Sequence, residues 1–319
     1  MGRSLDNDGA QLRCQALIFD GGLCVLLVPP TSIEMEQQRK VAMKDDRADV
    51  RRRVAGSYER ILKGEQGPAC CDRPADRMQV MGYETSELAS LPIDALANTL
   101  GCGSPVMFSD LAPGDVVLDL GCGAGIDLLI AAAKVGPTGL VIGVDMTDAM
   151  IARARANIAA AGLVNIEVRK GIIEELPVAD GSVDWVISNC AINLSPEESR
   201  VFAEIARVLK PGGRMRVADV VAEVLPDWIR HSDVLYDSCI AGAITEEDYV
   251  AGLRDAGLSD VSVGGRHVCD RDELVGLAAD VPSSSADADR VADAVVGRVW
   301  SVYFSASKPP PAESGGRRG

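Results

Sequence analysis

The stretch Val116-Val117-Leu118-Asp119-Leu120-Gly121-Cys122-Gly123-Ala124-Gly125 runs an apolar series of β-formers into a glycine-rich turn, and a helical pattern leaves it over Ile126 to Val135. Glycines at every second position permit positive φ and let a ligand lie against the main chain. Asp119 stands at the lip of the turn, two residues before its first glycine, and Asp145 closes the next apolar run, Leu140 to Asp145. The spacing predicts a strand, a tight turn and a helix N-terminus, with the Asp145 carboxylate placed to take the two hydroxyls of a ribose. A second set of residues able to do chemistry is sulfur: cysteines at 14, 24, 70, 71, 102, 122, 190, 239 and 269.

A dinucleotide site sets its pyrophosphate over the helix N-terminus and wants no anion in the turn. Here the spacing is D-x-G-x-G-x-G rather than G-x-G-x-x-G. An acid at that place repels phosphate and suits a ligand carrying a cationic amino group and a sulfonium, which is the chemistry of S-adenosylmethionine.

The elements that must hold these residues follow from the pattern. Strands are expected at 116–120, 140–145, 166–171, 183–189 and 214–221, with helices at 126–135, 148–162 and 197–209. Alternation of this kind demands parallel pairing with right-handed crossovers, an α/β doubly wound, Rossmann-like sheet. Before it, residues 1–34 read as a poorly ordered leader without a place in the fold, and 35–110 as a helical arm with a cysteine loop at Cys70-Cys71. The nucleotide-binding domain is expected at 111–225, a small C-terminal α+β cap at 226–308 and a disordered tail at 309–319. Within the cap, 226–263 reads as helical with a terminal strand, 271–279 as helical, 282–289 as a solvated loop and 298–305 as a strand.

Bulk properties narrow the partners. A chain of 319 residues, 47% apolar and 25% charged, can bury a substantial core. A net charge of −15 argues against a nucleic acid or an anionic membrane. The longest early apolar run, Ala16 to Val28, is broken by Asp20 and too short to span a bilayer, and no clean signal-peptide cleavage site follows it. The expected address is the cytoplasm, and a monomer is favoured. An odd number of irregularly spaced cysteines is no secreted disulfide framework. Without a C-x-x-C, and with only His231 and His267, a structural zinc site is not expected.

Several motifs together carry a family resemblance. After the third strand come Glu174-Glu175-Leu176-Pro177 and Asp180-Gly181-Ser182-Val183-Asp184, then Leu-Lys-Pro-Gly-Gly at 209–213. With the glycine turn, these resemble class I S-adenosylmethionine-dependent methyltransferases over about 105–222. Three cysteine environments go further: Cys70-Cys71 in the arm, Ser188-Asn189-Cys190-Ala191-Ile192-Asn193-Leu194 after strand four, and Cys239-Ile240-Ala241-Gly242-Ala243 in the cap. With Leu100 to Pro105, residues 143–147 and Asp219-Val220-Val221, they resemble the arsenite S-adenosylmethionine methyltransferases over roughly 50–250.

The resemblance implies arsenic-binding thiolates at Cys190, Cys239 and either Cys70 or Cys71, since adjacent cysteines cannot easily both aim at one small atom. It implies cofactor contacts from Asp119, Gly121, Cys122, Gly123, Asp145, Met146 and Asn189. Many members carry an acid two positions before the Glu of E-x-L-P; Ile172 stands there, which leaves the backbone around Ile173 or the Glu174 carboxylate to hold the adenine amino group. Arsenite or methylarsenite is the implied substrate, and glutathione or thioredoxin the implied thiol reductant. Soft trivalent arsenic selects thiolates, and its lone pair needs no general base. Two other readings of the same residues are a methyltransferase of a small organic acceptor such as a quinone or sterol, and a thiol protein that sequesters a metalloid. Cys102 is expected to be a turn residue between glycines, Cys122 a packing residue, and Trp185 part of the core.

Overall fold

The computed structural model describes residues 13–19, 22–28, 32–63, 82–83, 88, 91–237, 239–268, 270–271, 274–275 and 285–311. By internal contacts the chain divides into Met1–Arg52 and Arg53–Gly319. In the first unit, β1 (Arg13–Phe19) and β2 (Gly22–Val28) pair antiparallel as a hairpin, where the sequence pattern offers only a leader. Helix α1 (Ser32–Leu62) runs across the boundary.

The second unit is built on seven strands. In chain order, after the short helix α2 (Ile93–Ala97), come β3 (Val116–Leu120), α3 (Ile126–Val135), β4 (Leu140–Asp145), α4 (Asp148–Ala161), β5 (Ile166–Lys170) and β6 (Val183–Asn189). Then follow α5 (Glu198–Val208), β7 (Leu209–Ala222), α6 (Asp227–Arg230), α7 (Asp233–Asp237) and α8 (Glu246–Asp255). Strand β8 (Ser259–Val268), helix α9 (Ser285–Val295) and β9 (Val299–Ser307) complete the unit. The sheet order is β5-β4-β3-β6-β7-β9-β8. The five strands from β5 to β7 pair in parallel, and β9 joins β7 and β8 antiparallel. The chain moves outward from β3 through β4 to β5, then returns to place β6 on the other side of β3. That reversal opens a crevice at the carboxyl ends of β3 and β6, where such sheets bind ligands.

Strand periodicity sorts side chains to two cores. Leu118 and Leu120 of β3 join Ile142, Val144, Val186, Phe202 and Tyr249, whereas Val117 joins Leu128, Ile130, Val141, Trp185 and Ile187 on the opposite face. Strands buried on both faces read as unbroken apolar runs, which is why β3, β4 and β6 were legible. Trp185 lies in the core as expected.

Three boundaries differ from the sequence pattern. Strand β7 takes in Lys210-Pro211-Gly212-Gly213, which lies between the helix expected at 197–209 and the strand expected at 214–221, with a register shift between Val183 and Trp185 of its neighbour; Gly212 N donates to Lys308 O at 2.8 Å. The terminal strands lie in the main sheet, β9 pairing with β7 from Arg214↔Ser307 to Ala222↔Val299. Helix α9 begins inside the segment expected as a solvated loop. Its buried residues Ala288, Val291, Ala292 and Val295 fall at i, i+3, i+4 and i+7, a helical stripe that a Ser/Asp/Ala-rich composition conceals. No helix among the described residues is long and apolar enough to cross a membrane.

Candidate active site at the sheet switch point

The glycine turn is built as its spacing predicts. Gly121, Gly123 and Gly125 all have positive φ, at 68°, 51° and 91°. Gly121 N and Cys122 N both donate to Val144 O, at 2.8 and 3.1 Å, which ties the turn to the end of β4. Asp145 is fixed from two sides: Gly123 N donates to Oδ2 at 3.0 Å and Thr147 N to Oδ1 at 2.8 Å. A Cβ on Gly123 would meet nothing within 4 Å, so the turn presents open space to a ligand. On Gly121 a Cβ would lie 2.5 Å from that of Ala191, so the turn sits directly against the loop that follows β6. The Cys122 thiol packs beneath, and burial pushes its pKa well up, so it stays a neutral packing group. Met146, next along, is half-buried.

Asp119, Asp127 and Asp145 form a buried acidic floor. Burial raises all three carboxyls, Asp127 to about 6, and Asp119 is further raised by the charges of Asp127 and Asp145. A cationic ligand reverses that cost by favouring the ionised forms. The open turn, a held ribose-type acid and this floor fit S-adenosylmethionine, with its ammonium and sulfonium.

Glu174, offered by the resemblance to the adenine amino group, has a partner within the chain. It is buried, and its Oε1 accepts from Ser195 Oγ at 2.6 Å, in the turn that opens α5. The neighbouring Ile173 is half-buried, and Ile172 bridges to Glu175 through the backbone.

The cysteines gather on the other side of the crevice. Cys190 follows β6 with φ +56°, its N donating to Ala218 O at 2.8 Å. Its sulfur is joined in a disulfide to Cys102, with Cα atoms 5.8 Å apart. Cys239, φ +64°, directs its Sγ to Cys190 O at 3.5 Å. Among the described residues, Cys190, Cys239 and Asp260 are the non-glycine residues in the left-handed region. Such strain persists where surroundings over-determine it, and it gathers at functional sites. Both cysteines are buried, at 4% and 6% exposure. Cys102, read from sequence as a turn residue, thus stands bonded to the sulfur of Cys190. Cys70 and Cys71 lie outside the described residues.

Sequence reasoning also missed what holds Cys102. Asn189 Oδ1 accepts from Cys102 N at 2.9 Å and Gly103 N at 3.2 Å. Its Nδ2 donates to Gly103 O at 2.6 Å and to Asp127 Oδ2 at 3.2 Å. Tyr83 OH donates to Asp127 Oδ1 at 3.0 Å, and from the far strand Tyr303 OH accepts from Ser104 N at 2.9 Å. Asn189, which the resemblance offers to the cofactor, braces the cysteine loop through these bonds. The G-C-G spacing at 101–103 was the available signal: a Cβ on Gly101 would collide with the Asn189 amide, and one on Gly103 with Ala218 and Tyr303.

Asn193 performs the matching task for Cys239, its Nδ2 donating to Cys239 O at 3.1 Å. Beneath it Asp219 is fully buried. Burial pushes its carboxyl up to about 7, while Val220 N, the Asn193 backbone and Tyr249 OH favour the ionised form. The folded chain therefore holds this proton to about pH 7 and the unfolded chain only to about 3.8. The stabilisation it gives is full below the unfolded value and is lost as pH rises through the folded one. Asp219→Asn is expected to melt at a temperature less dependent on pH than the parent between about pH 4 and 7, and to gain relative stability at roughly 1.4 kcal/mol per unit of displacement. Thermal melts from pH 4 to 8 check it; parallel curves would reject it.

A sheet in this strand order, with a glycine turn at its switch point and acids closing its first two strands, is that of a class I S-adenosylmethionine-dependent methyltransferase, and a methyltransferase domain model matches residues 111–257. The arsenite methyltransferase of Halobacterium salinarum is 42% identical over 236 residues, covering 74% of this chain and 59% of that protein. The arsenite methyltransferase of Aquipseudomonas alcaligenes is 38% identical over 218 residues, covering 65% of this chain and 61% of its own. The crystal structure of CrArsM, an arsenic(III) S-adenosylmethionine methyltransferase from Chlamydomonas reinhardtii, superposes with a TM-score of 0.56 at 32% identity over 76% of both chains. The chain belongs to the arsenite S-adenosylmethionine methyltransferase family. It spans 59% and 61% of the lengths of the two curated relatives.

Proposed function

We propose that this protein methylates trivalent arsenic, using S-adenosylmethionine as methyl donor and Cys102, Cys190 and Cys239 as the thiolates that hold the metalloid, a role in arsenic detoxification. The observation that carries this reading is the convergence of three sulfur-bearing residues, from three separate parts of the chain, beside the glycine turn. The expectation of a thiolate from Cys70 or Cys71 falls outside the described residues and stands as a proposal beside Cys102.

Arsenous acid is uncharged near neutral pH, so a net charge of −15 does not repel it. Each thiol displaces one hydroxide as water, three thiols leaving a pyramidal arsenic with its lone pair at the open vertex. Before that, the Cys102–Cys190 disulfide takes two electrons from two external thiols, supplied by glutathione or thioredoxin, which leave as their own disulfide. S-adenosylmethionine supplies a sulfonium-activated methyl group. The chain's task is placement: Asp145 and the glycine turn fix the donor, and the strained cysteine backbones fix the acceptor. Such orientation accounts for roughly 7–11 kcal/mol of a barrier. The cytoplasm, with its reducing thiol pool, is the fitting compartment.

The test is methyl transfer from labelled S-adenosylmethionine to arsenite by purified protein. Product is expected with a thiol reductant and at background without one. Transfer to a quinone or sterol that survives Cys239→Ser would favour an organic acceptor, and arsenite uptake without transfer a sequestering protein.

A further inference from the structure

The Cys239 thiol hangs from the end of α7, a helix of five residues, too short to hold its shape by propensity alone. Its end is a Schellman turn. Ile240 N donates to Leu235 O and Cys239 N to Tyr236 O, both at 3.0 Å, with Cys239 in the left-handed position that usually belongs to glycine. The carbonyls of residues 235 and 236 therefore decide where this sulfur sits. What holds those two residues also holds the thiol.

One side chain from outside the sheet grips that helix. Arg53, on α1, lays its guanidinium over the Tyr236 ring, 5.3 Å from the centroid. Its Nη1 is 2.5 Å from Asp233 Oδ1, and its Nε is 3.5 Å from Asp237 Oδ1. Residues 233, 236 and 237 share one face of the helix, so a single planar cation spans the whole turn. One turn along α1, the buried Ser57 hydrogen-bonds the Asp237 carboxyl. On its other side Tyr236 OH donates to Leu194 O at 3.3 Å, in the loop that follows Cys190. Tyr236 is thus clamped between Arg53 and the Cys190 loop, with the Cys239 amide on its carbonyl.

We propose that Arg53 is a positioning residue for Cys239, locking α7 so that the thiol meets Cys190 and Cys102 around one arsenic atom. The proposal rests on the assignment of Cys239 as an arsenic thiolate. Without the guanidinium, Asp233 and Asp237 repel across one turn and the Tyr236 ring loses its cover, so the Schellman turn loosens. Because nothing in this contact touches the glycine turn, the donor side should be unaffected.

The experiment compares the full-length chain with Arg53→Ala and Arg53→Lys. In fully reduced protein, iodoacetamide labelling read by peptide mass spectrometry should mark Cys239 about five-fold faster in Arg53→Ala, with Cys122 unchanged. The arsenite KM should rise about ten-fold while the KM for S-adenosylmethionine stays within about two-fold. Arg53→Lys should recover part of both, since an ammonium can pair with one carboxylate and cannot lie flat on the ring. Wild-type labelling and arsenite KM in Arg53→Ala would overturn the proposal. If Arg53→Ala does not fold, Ser57→Ala, which removes one hydrogen bond to Asp237, should shift both readouts the same way by about two-fold, and no shift would overturn it. If Cys239→Ser leaves arsenite turnover intact while Arg53→Ala still speeds Cys239 labelling, the arsenic assignment falls and the packing role stands.

Discussion

Cys190→Ser is expected to lower arsenite methylation about 10³-fold while leaving S-adenosylmethionine affinity within about two-fold. Cys190 links the described sulfurs to one another and, through its neighbour, to the glycine turn. Its amide hangs from Ala218 O on β7, its sulfur bonds Cys102, and its carbonyl meets the Cys239 thiol. The following Ala191 lies against Gly121 of the glycine turn. A serine oxygen at that point is a hard ligand for a soft centre and leaves arsenic with an oxygen that withdraws electron density. The geometry also loosens, because Cys102 loses its partner. The donor side does not depend on this sulfur, since Asp145 is held by Gly123 and Thr147. Cys122→Ser is the contrasting variant: that thiol is packed beneath the turn and kept neutral by burial, so methylation should fall by less than about five-fold. Initial rates of labelled methyl transfer, with S-adenosylmethionine titrated separately, check both. Retention of more than a tenth of the parent rate by Cys190→Ser would remove the central sulfur from the reaction.

How far the sequence reveals this site depends on whether a residue's role is local. The turn from Gly121 to Gly125 and the acid at Asp145 follow from neighbours in the chain, because a strand, three positive-φ glycines and a helix start are set within ten residues. The Cys190 loop follows too, since it continues a buried strand. Cys102 does not. Its glycines look like turn formers, yet Gly101 is small because the Asn189 side chain, 88 positions away, occupies the place of its Cβ. Likewise Tyr303 reads as one alternate residue of a terminal strand, and only the antiparallel docking of β9 on β7 brings its hydroxyl to Ser104. The Glu174 carboxylate likewise takes a partner that its motif does not announce, the Ser195 hydroxyl, 21 positions on.

Asn189→Leu is expected to destabilise the protein by about 3–5 kcal/mol, a large part of an ordinary domain's stability, and to release the Cys102 loop. Leucine fills similar space but leaves Cys102 N, Gly103 N and Gly103 O without the amide that pairs them, and takes a donor from Asp127. Each buried group so stranded costs about 1–3 kcal/mol, partly relieved as the loop swings toward water. Denaturant unfolding should show the lower midpoint. In a thiol redox buffer the Cys102–Cys190 disulfide should form about ten-fold less readily, because the two sulfurs lose their effective concentration. S-adenosylmethionine affinity separates a strut from a cofactor ligand: it should stay within about two-fold, and a loss beyond about ten-fold with an intact disulfide equilibrium would return Asn189 to the cofactor. Asn189→Asp sharpens the test. It keeps an oxygen for Cys102 N but sets a second carboxylate against Asp127, already pushed up to about 6 by burial. Two such acids cannot both ionise cheaply, so one holds a proton that the unfolded chain releases. Stability of this variant should therefore fall more steeply than the parent's as pH rises above about 4.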